Sequence, residues 1–114
     1  MLKLLENREL AGITFIRGYI QFLFDGPILN TYTLPQIRVD NNRIITHNQY
    51  GYCDTLCSLI DKHILFAYED KEENRIIIQF ENNRELTISL NLEDRQCAEA
   101  AMLRGKQDGQ CEIW

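Results

Sequence analysis

An α+β fold built mainly of antiparallel strands follows from three features of this 114-residue sequence. Apolar residues alternate with period two in residues 19–24 and 75–80, the side-chain period of a strand with one buried face. Clusters of Asp, Asn and Gly divide the apolar runs at short intervals, as tight hairpins require. One segment, residues 49–60, instead carries apolar pairs four residues apart, the pattern of an amphipathic helix.

The elements follow in order. Residues 10–33 and 59–90 pass through a similar series of apolar runs and turns, which predicts a pseudo-repeat of two related three-stranded meanders within a single domain, 1–114. In the first copy Ile13-Thr14-Phe15-Ile16-Arg17 leads through Gly18 to residues 19–24, then through Asp25-Gly26-Pro27 to residues 28–33. In the second, residues 63–68 lead through the polar run 69–74 to residues 75–80, then through Glu81-Asn82-Asn83 to residues 85–90. Ile20, Phe22 and Phe24 share one face, as do Ile76, Ile78 and Phe80, and these six are the expected core. Between the copies, Gln36-Ile37-Arg38-Val39 and Arg43-Ile44-Ile45-Thr46 flank Asp40-Asn41-Asn42, a further hairpin signal, with Pro35 marking a bend before it.

The helix over residues 49–60 takes Asn48 as N-cap and stacks Tyr52/Cys53, Leu56/Cys57 and Leu59/Ile60 into one stripe. It is expected to connect the meanders and pack on the sheet. Beyond residue 91 two readings stand. Asn91, Glu93 and Asp94 at one end and Arg104 and Gly105 at the other suit a helix over 92–104. Asp108-Gly109 between residues 100–103 and 111–114 suits a closing hairpin, and a turn or short helix near Leu92 followed by that hairpin is preferred.

Composition narrows the class. With 45% hydrophobic and 25% charged residues the chain has the balance of a globular domain. Charges fall within the first ten residues and no run approaches the ~20 apolar residues of a membrane span, so no membrane association and a cytoplasmic location are expected. In that compartment Cys53, Cys57, Cys97 and Cys111 are read as reduced thiols. The net charge is −5: residues 1–57 carry five basic and five acidic side chains, and residues 58–114 carry seven and twelve. Such a surface repels phosphate backbones, which argues against nucleic acid, and attracts a basic protein.

Candidate chemistry is sparse. Cys53 and Cys57 with His47 and His63 invite comparison with zinc sites, but the spacing is looser than the Cys-x-x-Cys knuckle. Cysteine packs readily in cores, and the two are read as small core residues of the helix, with no metal expected. A nucleophilic pair of Cys57 with His63 or His47 lacks a nucleophile elbow, an oxyanion turn and a third orienting group. No phosphate-binding glycine loop is present, so neither a cofactor nor a catalytic residue is assigned. Glu69, Asp70, Glu72 and Glu73 form the densest charge cluster; they lack the ligand alternation of a calcium loop and suit a solvated hairpin tip or a docking surface. Tyr19, Tyr32, Tyr50, Tyr52 and Tyr68 suit strand packing first and an interface second.

The stretches Arg17-Gly18-Tyr19-Ile20-Gln21-Phe22-Leu23-Phe24-Asp25-Gly26 and Tyr52-Cys53-Asp54-Thr55-Leu56-Cys57-Ser58-Leu59-Ile60 resemble a small family of uncharacterised bacterial proteins over most of the chain. These motifs are structural and imply no reaction. In general character the chain also resembles the immunity proteins of contact-dependent inhibition and polymorphic toxin–antitoxin systems. That resemblance implies a non-enzymatic protein-binding domain that neutralises a cognate bacterial toxin, such as a nuclease domain, by occluding its basic cleft. The expected contacts are Glu69, Asp70, Glu72, Glu73 and Glu81. The alternatives are a small-ligand binder or enzyme that gathers Cys57, His63, Asp54 and Tyr52 in one pocket, and a structural or regulatory subunit engaged through an exposed strand edge.

Overall fold

The computed structural model describes residues 1–40 and 43–114. A 3₁₀ turn, Leu2–Leu5, buries Leu2 and Leu5 and leads into three consecutive antiparallel strands, β1 (Gly12–Ile16), β2 (Tyr19–Leu23) and β3 (Ile28–Thr31). The short strands β4 (Gln36–Arg38) and β5 (Ile44–Ile45) pair with each other, and the helix α1 (Tyr52–Cys57) follows. A second antiparallel run comprises β6 (Ile64–Asp70), β7 (Arg75–Phe80) and β8 (Glu85–Ser89). After a 3₁₀ turn at Leu92–Asp94, β9 (Ala101–Arg104) and β10 (Cys111–Ile113) form a hairpin.

Turn chemistry accounts for the strand breaks. Ile16 pairs with Tyr19 across the two-residue turn Arg17-Gly18, where Gly18 takes φ +90°, a region that side chains with a Cβ rarely adopt. Asp25, Asn74 and Asn83 adopt φ of 54°, 52° and 61°, the left-handed region that Asp and Asn tolerate better than other side chains. The turn expected at Asp40-Asn41-Asn42 includes two residues outside the described ones; at its margin the Arg43 amide donates to Asp40 Oδ1 at 3.0 Å.

The strands assemble into two five-stranded sheets, β1-β2-β3-β9-β10 and β5-β4-β8-β7-β6. Each run of three therefore lies within a larger sheet. The hairpin that follows each run crosses to the other run's sheet: β4 pairs with β8, placing Ile37 opposite Leu86, and β9 pairs with β3, placing Leu103 opposite Leu29. The exchange covers the free edge of β3 and of β8, which would otherwise expose unpaired backbone groups.

Both sheets contribute to one core. Phe22, Phe24, Leu29 and Leu103 from the first meet Ile37, Ile76, Ile78, Phe80, Leu86 and Ile88 from the second, and Tyr52, Leu56 and Leu59 join them from the helical segment. All six residues expected from period-two alternation are buried. Truncating a buried phenylalanine such as Phe22 or Phe80 to alanine costs about 3–5 kcal/mol.

Two expectations need correction. The helix spans six residues rather than the twelve of 49–60, because Gly51 at φ +85° cannot continue a right-handed helix and sets its start in place of Asn48. Beyond Cys57 the chain tightens into i→i+3 bonds, Ile60 N–H to Cys57 O and Lys62 N–H to Leu59 O, and Asp61 at φ 73° ends the segment. Secondly, Cys53 and Cys57 are exposed rather than core residues. The helical period places Tyr52, Leu56 and Leu59 inward, and the residue after each of the first two is rotated by about 100° toward solvent. At the C-terminal end, the long helix over 92–104 does not form and the hairpin does.

Among the described residues, no helix is long and apolar enough to cross a membrane.

Candidate functional site

Alternation along β6 sorts its side chains. Phe66, Tyr68 and Asp70 stand opposite Gln79, Ile77 and Arg75, so all six share the outer face of the second sheet. The row continues from Ile77 to Thr87 on β8 and Gln36 on β4. The rings of Phe66 and Tyr68 are 5.8 Å apart and both are exposed. Glu69 points the other way, and its Oε1 accepts the indole N–H of Trp114 at 2.9 Å. Asp70 is also engaged: Oδ2 accepts from Arg75 Nε at 3.3 Å and Oδ1 from the Glu73 amide at 3.3 Å. Glu72 and Glu73 are exposed.

A second acidic turn lies beside the first. The Leu90 amide donates to Asn74 O at 2.8 Å, and Asn74 Nδ2 to Asn91 Oδ1 at 3.1 Å, joining the β6–β7 turn to the chain after β8. Arg95 holds that chain in place through Nη2 to Leu90 O at 2.9 Å and Nη1 to Ala98 O at 2.7 Å. Leu92, at 81% exposure, is presented here with Glu93 and Asp94, and Asp94 accepts the Ser89 hydroxyl. The two turns and their flanks, residues 69–75 and 91–96, carry six carboxylates and three cations, a local net charge of −3 in a chain of −5.

Between these turns and the outer face of β4 and β8 lies a cleft of about 460 Å³. Gln36, Thr87 and Ser89 line it from the sheet, Arg75, Glu73 and Asp94 from the acidic end, and Thr46, His47 and Asn48 from the segment before α1. One face of the protein therefore presents an aromatic pair, a polar cleft, an exposed leucine and an acidic rim. Apolar anchors bordered by polar groups are the usual anatomy of a protein interface.

The other proposed residues are placed elsewhere. Glu81 lies at the far end of β7, roughly 20 Å along the strand from the acidic turn. Its Oε1 accepts the His63 amide at 3.1 Å and lies 3.5 Å from His63 Nδ1, while His63 Nε2 is 3.3 Å from Glu9. The His63 amide, aided by the imidazole and Lys62, holds the Glu81 carboxyl below its ordinary range against the opposing effect of desolvation. Tyr52 is buried and donates to Pro35 O at 2.6 Å, and burial pushes its phenol well above the usual range. Asp54 and Cys57 are exposed on α1, and His63 is held between Glu9 and Glu81. Among the described residues, no group of three or more His, Cys, Asp or Glu side chains is placed to hold a metal ion.

Nothing in the sequence marks Leu92, Glu93, Asp94 or Phe66 for this surface. The available signal was the second acidic pair, which reads equally well as the first turn of a helix. No protein-family model, curated protein or solved structure significantly matches this chain.

Proposed function

We propose that the chain is a non-enzymatic protein-binding domain that docks a basic partner on its acidic end, and specifically that it acts in the cytoplasm as an immunity protein neutralising a cognate bacterial toxin. The observation that carries this reading is the juxtaposition of two acidic turns around exposed Leu92, beside the cleft and the Phe66–Tyr68 pair. Leu92 and the two rings supply apolar contact area, and the carboxylates steer a basic surface toward it. Glu72, Glu73, Glu93 and Asp94 are the principal acidic contacts. Glu69 and Asp70 add to the local field while serving internal partners, and Glu81 belongs to a separate cluster. The toxin-directed version draws its support from the small size and acidity that the chain shares with immunity proteins.

The test is a pull-down from the source cell at low and high salt, using the wild type, E72Q/E73Q/E93Q/D94N and L92A. One basic partner is expected, retained by the wild type at low salt and released by neutralisation or by salt that shortens the Debye length from about 10 Å to about 3 Å. L92A is expected to weaken capture, and the recovered partner's activity is expected to be inhibited by the wild type but not by the neutralised variant. Undiminished capture by that variant in high salt, or no protein partner under any condition, would overturn the proposal.

A further inference from the structure

The charges lining the cleft do not cancel evenly. Arg75, its one arginine, is occupied by Asp70 at 3.3 Å, and among the described residues Glu73 and Asp94 are in no ion pair. Asp94 is held toward the sheet by the Ser89 hydroxyl, so its position is set by β8 as well as by its own turn. Thr33, which also borders the cleft, is only 5% exposed, and its hydroxyl oxygen is turned away from solvent with no hydrogen-bond partner among the described residues, so the accessible charged acceptors of the cleft are the two carboxylates.

Resting on the docking reading above, we propose that the cleft receives an arginine side chain of the basic partner, its guanidinium held by Glu73 and Asp94. The chemistry matches in charge, hydrogen bonding and size. A guanidinium offers donors only, five in one plane, and the charged acceptors open to the cleft are the carboxylates of Glu73 and Asp94. Charge-assisted bonds of this kind are roughly twice as strong as neutral ones. A cavity of about 460 Å³ is large enough for the guanidinium and its aliphatic stem, which neighbouring Leu34 is placed to contact. The partner's arginine thus becomes the central contact, with Leu92 and the aromatic pair around it.

The test uses isotope-labelled full-length protein and two small probes followed by amide chemical shifts. N-acetyl-arginine amide is expected to shift Thr33, Ser89 and Asp94 in a saturable way. N-acetyl-citrulline amide, of the same shape but uncharged, is expected to bind about tenfold more weakly or not at all. The E73Q/D94N variant, altered only at exposed side chains, is expected to retain the dispersed spectrum of the folded protein and lose the arginine response. Equal binding of the two probes, a response that survives in E73Q/D94N, or no response at the cleft would each overturn the inference. Partner capture that persists while the arginine probe fails to bind would overturn this assignment alone and leave the docking reading standing.

Discussion

Trp114 joins the two sheets at one corner, and removing its indole N–H tests how that corner is held. Its backbone extends the β9–β10 hairpin, with Ala100 N–H to Trp114 O at 2.7 Å and Trp114 N–H to Ala101 O at 2.9 Å. Its indole then reaches Glu69 on β6, in the other sheet, at 2.9 Å. A hydrogen bond to a charged acceptor contributes about 1.5–3 kcal/mol, and the partial exposure of both residues reduces the expectation to about 1 kcal/mol. The perturbation is a double-mutant cycle of W114F and E69A. W114F alone also loses packing against the core, and the cycle removes that part. The expected coupling of about 1 kcal/mol corresponds to a Tm shift of about 4 °C in a chain of this length. Urea unfolding is followed by far-ultraviolet circular dichroism, because the substitution removes the protein's one tryptophan. A coupling below about 0.3 kcal/mol would refute the reasoning and free Glu69 to act as a docking carboxylate like Glu72.

Three further outcomes are expected. The Glu81 carboxyl is held below its ordinary value of 4.5, so the unfolded chain takes up its proton more readily than the native state. Its stabilising contribution is therefore complete above that value and lost as pH falls through the lowered native value. E81Q should flatten the acid limb of urea midpoints measured between about pH 3 and 7, and an unaltered limb would remove the His63 contact from the account. The Tyr52 hydroxyl is buried against Pro35 O, so Y52F should cost about 1–2 kcal/mol, and the part of the absorbance titration that Y52F removes should lie well above the usual phenol range. Loss of a signal within the usual phenol range on Y52F would contradict that burial. All four cysteines are exposed, so a thiol reagent should modify all four without denaturant. Slow labelling at Cys53 and Cys57 would restore them to the core.

The placement of the carboxylates bears directly on the functional proposal. Acidic residues close in sequence are not equivalent in a strand, because successive side chains face opposite ways. Glu69 therefore meets Trp114 inside the sheet junction while Asp70 meets Arg75 on the outer face. Conversely, Glu73 and Asp94 are twenty-one residues apart and line the same cleft. Charge density along the sequence located one part of the acidic surface; the hydrogen bonds between Asn74, Leu90 and Asn91 assembled the remainder.

The sequence by itself determined the order of the strand runs and the core face, though not every turn boundary, since β6 runs on through Glu69 and Asp70, which the polar run 69–74 assigns to a turn. Alternation at Ile20, Phe22 and Phe24, and again at Ile76, Ile78 and Phe80, is a local consequence of the two-residue pleat, and the residues that turn the chain at Gly18, Asp25, Asn74 and Asn83 act through their own φ preferences. The helix was legible as a stripe, but not its length, since that depended on Gly51 occupying φ +85°. Only the tertiary structure decided that each of the β4–β5 and β9–β10 hairpins joins the sheet of the other three-stranded run. Nothing local to either hairpin names its neighbour: β4 takes the free edge of β8 and β9 that of β3, an arrangement that exists only once both runs are folded. Tertiary contacts likewise decided which side of the helical segment is inside, burying Tyr52, Leu56 and Leu59 and leaving Cys53 and Cys57 in solvent, and the Asn74–Leu90 and Asn74–Asn91 hydrogen bonds set Leu92 and its acidic neighbours beside the first acidic turn. Local periodicity states which face of an element is buried; which elements then become neighbours depends on burial summed over the whole chain.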